Sequence, residues 1–259
     1  MANDRRFRFG ARVLVTAGAL VGLALVPVAA AGAASSDVPA AEAGTIQQGD
    51  VPSNFTESTA MTSHTGPPPT STGSSGDISK EMKKISACKA FLQTFQPTSK
   101  TVTASADGAS LSDAQATDSA QLGSSTLIFK SSSDAKKFFV PIKSAKLATC
   151  LDKAMKTSIE KSMSSGGASG SFSKFDSSIQ KYAVPKVGDE TVDYRIKFDI
   201  GSPASSGAAV TLTMYVDMEF VRTGRGIGSY MSLSLGAPDD TVSQAAIKDA
   251  VTRMSTALG

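Results

Sequence analysis

The sequence predicts an α+β fold: a twisted antiparallel sheet with helices packed on one face, braced by one disulfide. Three observations carry that reading. Three C-terminal stretches alternate apolar and polar residues, as half-buried strands do. Segments before and after them repeat apolar residues at steps of three and four, as amphipathic helices do. The chain has two cysteines, Cys88 and Cys150.

The first 33 residues have the order of a secretory signal peptide. Arg5, Arg6, Arg8 and Arg12 precede an apolar run from Val13 that is broken at Pro27, and small residues offer a cleavage site at Ala29-Ala30-Ala31 or Ala31-Gly32-Ala33. The run is nearly long enough to anchor the chain in a bilayer, but its small-residue end favours cleavage, after which no stable membrane span is expected. Removing the signal takes away four of the 26 basic residues and one of the 23 acidic ones, so the released chain is formally neutral. A neutral chain lacks the electrostatic footprint of a nucleic-acid binder. The expected location is secreted, extracellular or associated with the cell wall.

Residues 34–76 are mostly Ala, Ser, Thr, Gly and Pro and read as a flexible linker. Within it, "GDVPSNF" offers Val51 and Phe55 as apolar residues that can dock back on a folded unit. Residues 77–259 read as a single α+β domain. Asp77 caps a helix with Ile78, Met82, Ile85, Cys88 and Phe95 along one stripe, closed by Pro97. Thr126 to Lys130 reads as a strand, and the polar residues before it suggest edge strands or loops. Serines ahead of Asp134 start a helical stretch that Pro141 kinks or divides near Lys143, placing Cys150 on its second part. Then come the alternating strands, one through Val192, Tyr194, Ile196 and Phe198, a second through Met214, Val216, Met218 and Phe220, and a third through Ile227, Met231 and Leu233. Pro238-Asp239-Asp240 begins a last helix with Val242, Ala246, Ala250, Val251, Met254 and Leu258 on its apolar stripe.

An exported compartment favours pairing Cys88 with Cys150. Closing a loop of roughly 60 residues stabilises by about 4 kcal/mol in the chain-entropy model. A catalytic thiol or a metal pair is the alternative, and both lack partners: the sole histidine, His64, lies in the low-complexity segment. No metal site, cofactor or Ser-His-Asp triad is expected.

"RTGRGIG", Arg222 to Gly228, resembles a phosphate-cradling loop in composition. A phosphate loop needs a helix after its glycines, whereas here a strand follows, so the stretch reads as a hairpin with Gly224 supplying positive φ. Matching apolar faces pairs Phe220 with Ile227 and Val216 with Met231, leaving Arg222 to Arg225 as the loop. In that register Tyr215, Asp217 and Glu219 share a polar sheet face, with Tyr230 opposite Asp217, Ser232 opposite Tyr215, and Arg195 or Asp193 on the neighbouring strand. These residues are the candidate ligand-binding surface: Arg195, Tyr215, Asp217, Glu219 and Tyr230. Asp217 and Glu219, two positions apart, are also spaced loosely enough for an acid/base pair acting on glycans.

The order of features resembles a family of exported actinobacterial sensor-domain proteins, the extracellular domains of PknH-type receptor kinases, and more distantly the LpqN-type lipoproteins. The residues carrying the resemblance are "GDVPSNF", Cys88, "STLIFKSSSDAKKFF", "ATCLDK" with Cys150, "VGDETVDYRI", "VDMEFVRTGRGIGSYMSL" and "AVTRMSTAL". It implies helices against a twisted antiparallel sheet and a cleft for a ligand of the cell envelope, and it brings no catalytic residues. The chain departs from the family in having no kinase segment, no lipid-anchor cysteine, one possible disulfide where the kinase sensors have two, and no tryptophan. The expected role is a secreted, non-enzymatic, sensor-like binding module of the bacterial envelope whose partner is a small molecule, glycan, lipid or protein. The alternatives are a cell-wall hydrolase using Asp217 and Glu219, and a purely structural envelope protein.

Overall fold

The computed structural model describes residues 37–69, 98–113, 120–164, 174–202, 210–238 and 240–259, together with Met82, Lys84, Ile85, Ser86 and Cys88. The expected signal peptide and most of the helix expected after Asp77 lie outside the described residues. The helices are α1 (Val38–Ala43), α2 (Ser132–Ile142), α3 (Ala145–Ser164) and α4 (Asp240–Leu258). The strands are β1 (Phe55–Thr59), β2 (Thr62–Thr65), β3 (Val102–Asp107), β4 (Ser110–Asp113), β5 (Gln121–Phe129), β6 (Lys174–Tyr182), β7 (Glu190–Ser202), β8 (Val210–Thr223) and β9 (Gly226–Leu235).

All nine strands join one antiparallel sheet in the order β1-β4-β5-β9-β8-β7-β6, with β3 also on β5 and β2 on β3. Strands β3 and β4 run one after the other along the same edge of β5, pairing Val102 to Asp107 with Phe129 to Ser125 and then Leu111-Ser112 with Leu122-Gln121. Strands β1 and β2 do likewise against β4 and β3. Each pair is therefore one long strand interrupted once, and the two interruptions lie side by side. The strand expected from Thr126 to Lys130 is β5, which begins earlier, at Gln121, and is interior, with β9 on its other side.

The sheet's first face carries the larger core. Val192, Tyr194, Ile196 and Phe198 of β7 lie beside Met214, Val216, Met218 and Phe220 of β8 and Ile227, Met231 and Leu233 of β9. Helices α2 and α3 cover them with Ala135, Phe138, Phe139, Ile142, Leu147 and Leu151. Ser131 caps α2 by accepting a hydrogen bond from the Asp134 amide at 3.1 Å, and the chain turns at Lys143-Ser144 just past Pro141, so the expected interruption is a break between two helices. The Cys88–Cys150 disulfide is formed and fully buried in this core.

Helices cover the second face as well. Val221, Tyr230, Leu111 and Leu122 give that face an apolar region of its own, on which α4 packs Ala246, Ile247, Ala250 and Val251. A sheet face with this much apolar area is stable only when covered.

Part of the segment expected to be a flexible linker is folded. Ala40 and Ala41 of α1 are buried against Met254 and the small residues Ala104 and Ala106 of β3. Val51 and Phe55 dock into the second-face core, as "GDVPSNF" suggested. Two ion pairs fasten the segment to the C-terminal half: Arg225 with both carboxylate oxygens of Asp37, at 2.7 and 2.6 Å, and Arg253 with Asp50.

Candidate functional site

The hairpin between β8 and β9 sets the site. Thr223 pairs with Gly226, leaving Gly224 and Arg225 as a two-residue loop, and Gly224 has φ of +54°, which a tight hairpin of this kind needs. The loop is thus shorter than the four residues expected, and the register moves by two: Phe220 faces Ser229, Met218 faces Met231 and Val216 faces Leu233. The strands gain a rung because Gly224 allows a tighter turn than matching apolar faces could disclose. Neither arginine of the stretch is held for an anion. Arg222 pairs with Glu190 at 2.8 Å and Asp189 at 3.0 Å, and Arg225 holds Asp37.

In the observed register Glu219 stands between Asp193 on β7 and Tyr230 on β9, and Asp217 between Arg195 and Ser232. Directly opposed residues on one face have Cβ atoms about 5 Å apart, so Asp193 and Glu219 are immediate neighbours. The expected solvent-facing surface is instead a cleft roofed by the start of α4, with Asp193, Arg195, Asp217, Glu219, Tyr230 and Ser232 below and Asp240, Ser243, Gln244 and Ile247 above. Asp193 and Glu219 are each 2% exposed and Tyr230 is 1% exposed. Tyr215 lies outside the cleft lining, opposite Lys197 and Ser234 further along the sheet. The cleft has room for about one water molecule, far less than a sugar ring.

Arg195 is the cation of the cleft. Its Nε and Nη2 donate to the two oxygens of Asp217 at 2.7 and 2.9 Å, and Nη2 also donates to Asp240. Its guanidinium lies 3.5 Å above the Tyr182 ring centroid, and the Tyr182 hydroxyl donates to Asp240 at 3.0 Å. Tyr230, expected to contact ligand, donates its hydroxyl to the Gly44 carbonyl at 2.9 Å and so ties the N-terminal segment under α4. Gly228 makes room for that ring: a Cβ there would sit 2.3 Å from the Tyr230 hydroxyl.

The acids are unevenly satisfied. Gln244 Nε2 donates to Glu219 Oε2 at 2.5 Å, while Glu219 Oε1 and Asp193 Oδ1 are buried without a hydrogen-bond partner. Burial, followed by the charges of Asp217 and Glu219, pushes the Asp193 carboxyl up to about 8. Burial likewise pushes Glu219 up to about 7, opposed by the Gln244 hydrogen bond. Asp217 is also raised by burial, against the pull of Arg195. Arg195 is raised above its ordinary value because its bonds and charge contacts with Asp217 and Asp240 outweigh burial, so it stays charged. Two neighbouring carboxyls thus exchange protons near neutrality beside a fixed, already committed cation.

Sequence reasoning named Arg195, Asp217, Glu219 and Tyr230 and gave Asp193 as an alternative neighbour; it missed Tyr182, Asp240 and Gln244. A clue to Asp240 and Gln244 was present: polar residues four apart at the start of a helix whose stripe must meet a sheet. Tyr182 gave none, since β6 has no clear alternation.

No family model matches the chain, and no curated protein matches it. Among solved structures, the extracellular domain of PknH from Mycobacterium tuberculosis is similar over 81% of this chain and 98% of that one, at 10% identity and a TM-score of 0.32. That is a weak likeness at the level of fold and carries no functional argument.

Proposed function

We propose that the protein is a non-enzymatic, sensor-like binding module acting outside the cell, with its ligand site in the cleft between the β7-β8-β9 surface and α4. The observation that supports this most is the pair of buried, partnerless carboxyl oxygens, Asp193 Oδ1 and Glu219 Oε1, side by side in one cleft. Such a pair detracts from stability, and strongly perturbed acids in clefts cluster at functional sites. The location is supported by the buried disulfide, which oxidising compartments preserve, and by the signal-like N-terminal sequence. No helix among the described residues is long and apolar enough to cross a membrane.

Hydrolysis through Asp217 and Glu219 fits less well. Both Asp217 oxygens accept hydrogen bonds from Arg195, which leaves a poor nucleophile or base, and the cleft is too small for a glycan. The test is native mass spectrometry of the protein taken from its producer's culture medium, as wild type and as Asp193→Asn/Glu219→Gln. A bound mass that denaturation releases from the wild type and that the variant lacks supports the reading. A bare wild type, or equal retention by the variant, counts against it.

A further inference from the structure

We propose that the cleft takes the primary ammonium group of a small, unbranched alkyl amine. The inference rests on the binding-module reading and adds the ligand's chemistry to it.

When ionised, the two orphaned atoms, Asp193 Oδ1 and Glu219 Oε1, are both acceptors, so a complement to the ionised pair brings donors. Donors of the cleft point elsewhere: Arg195 Nε and Nη2 to Asp217 and Asp240, Gln244 Nε2 to Glu219 Oε2, Tyr230 to the Gly44 carbonyl, Ser232 to Asp217 and Ser243 to the Asp240 carbonyl. Four carboxyl groups, Asp193, Asp217, Glu219 and Asp240, surround one arginine, so the complement is a cation. Its size is restricted to about that of a water molecule, which an ammonium nitrogen with its hydrogens matches and a planar guanidinium exceeds. A metal ion fits less well, because no three His, Cys, Asp or Glu side chains among the described residues converge to hold one. A quaternary ammonium has no hydrogens to donate.

The tail follows from the rim. Val184 is the partly exposed aliphatic residue of the lining and suits a methylene chain leaving the cleft, whereas Ile247 of α4 is buried in the second-face core. The groups that face the carboxyl pair govern how binding responds to pH. They are Arg195 on β7, Asp217 on β8, Tyr230 on β9, Tyr182 on β6, and Asp240 and Gln244 on α4, with Arg253 and Asp50 beyond Tyr230. Below neutrality Asp193 and Glu219 hold protons; an incoming ammonium favours the carboxylates, and the displaced protons pass to the buffer. Binding therefore strengthens as pH rises.

Isothermal titration of the released chain with n-butylammonium chloride tests this, using tetramethylammonium chloride and potassium chloride as controls and two buffers of different ionisation heat. The expected result is saturable binding of n-butylammonium alone, with up to about two protons released at about pH 6 and fewer at about pH 8, and affinity rising with pH across that range by up to about tenfold per pH unit for each proton released. Asp193→Asn/Glu219→Gln should lose the binding and the proton release while keeping the wild-type near-ultraviolet circular dichroism. Should the double variant not fold, each single substitution must weaken binding at least several-fold. Absence of n-butylammonium binding, equal binding of potassium or tetramethylammonium, or undiminished binding by the variants overturns the amine assignment. If titration fails while native mass spectrometry finds a bound mass that Asp193→Asn/Glu219→Gln releases, the amine falls and the binding module stands. If neither method finds a ligand, both fall.

Discussion

The two faces of the sheet share its strands but hold the protein together differently. On the first face, even-numbered residues of β7 and β8 meet α2 and α3 in an unbroken apolar layer that encloses the disulfide. On the second, odd-numbered residues put Asp193, Arg195, Asp217 and Glu219 beneath α4, and apolar packing is divided between the region around Val221, Tyr230 and Leu122 and the small-residue contacts of α1 and Met254 with β3. Burial of apolar area stabilises the first face, whereas the second accepts like charges at close range. One face is arranged for stability, and the other keeps charges available at a cost in stability.

The largest test of this contrast is Phe139→Ala. The side chain is fully buried between α2 and the first face, and its loss should destabilise by about 3–5 kcal/mol in urea unfolding. A loss of well under 1 kcal/mol would mean that the first face is not the stabilising one. On the second face, Gly228→Ala forces a methyl group onto the Tyr230 hydroxyl and should cost about 1–3 kcal/mol, with lost hydrogen-exchange protection around Gly44. Asp193→Asn should have the opposite sign. Asp193 and Glu219 bind protons more tightly in the folded than in the unfolded chain, so their contribution to stability is complete below about pH 4 and is lost as pH rises toward about 8. Replacing Asp193 should therefore flatten that decline and raise stability at about pH 8 by about 1–3 kcal/mol. A variant with the wild-type slope would remove the evidence that this carboxyl is held protonated. The smallest effect is expected for Arg225→Ala, about 1 kcal/mol, since its pair with Asp37 is partly exposed. Its readout is faster hydrogen exchange across 38–65 with β7 and β8 unchanged.

Legibility in the sequence followed the same division. Alternation in β7, β8 and β9 reports one apolar face directly, so the sheet, the helices over that face and the disulfide could be read from the residues. The second face was hidden because its cover is mixed. The buried side of α4 carries Ser243, a polar residue, together with alanines, and a stripe of small residues does not say which sheet face it meets. The folded part of residues 34–76 was hidden for a related reason. Strands β1 and β2 bury few side chains and are held by backbone pairing, while α1 packs by being small, at Ala40 and Ala41. Composition measures the side-chain area available for burial, and it misses chain that is ordered through backbone hydrogen bonds and close alanine contacts. Within the site, the identities of the acids were legible but their pairing was not, because a two-residue change of register keeps every side chain on its face while changing its neighbour.

The ties between Asp37 and Arg225, Gly44 and Tyr230, and Asp50 and Arg253 join residues separated by 188, 186 and 203 positions. A chain emerging from its amino end can pair β1, β2 and α1 with β3 and β4 early, but must leave these three ties open until the C-terminal residues have appeared. Contacts of such long range slow folding, because the loop must close before they contribute. Completion of the second face is thus a late, whole-chain event, and a nascent chain halted before Arg225 would lack the partners of all three ties.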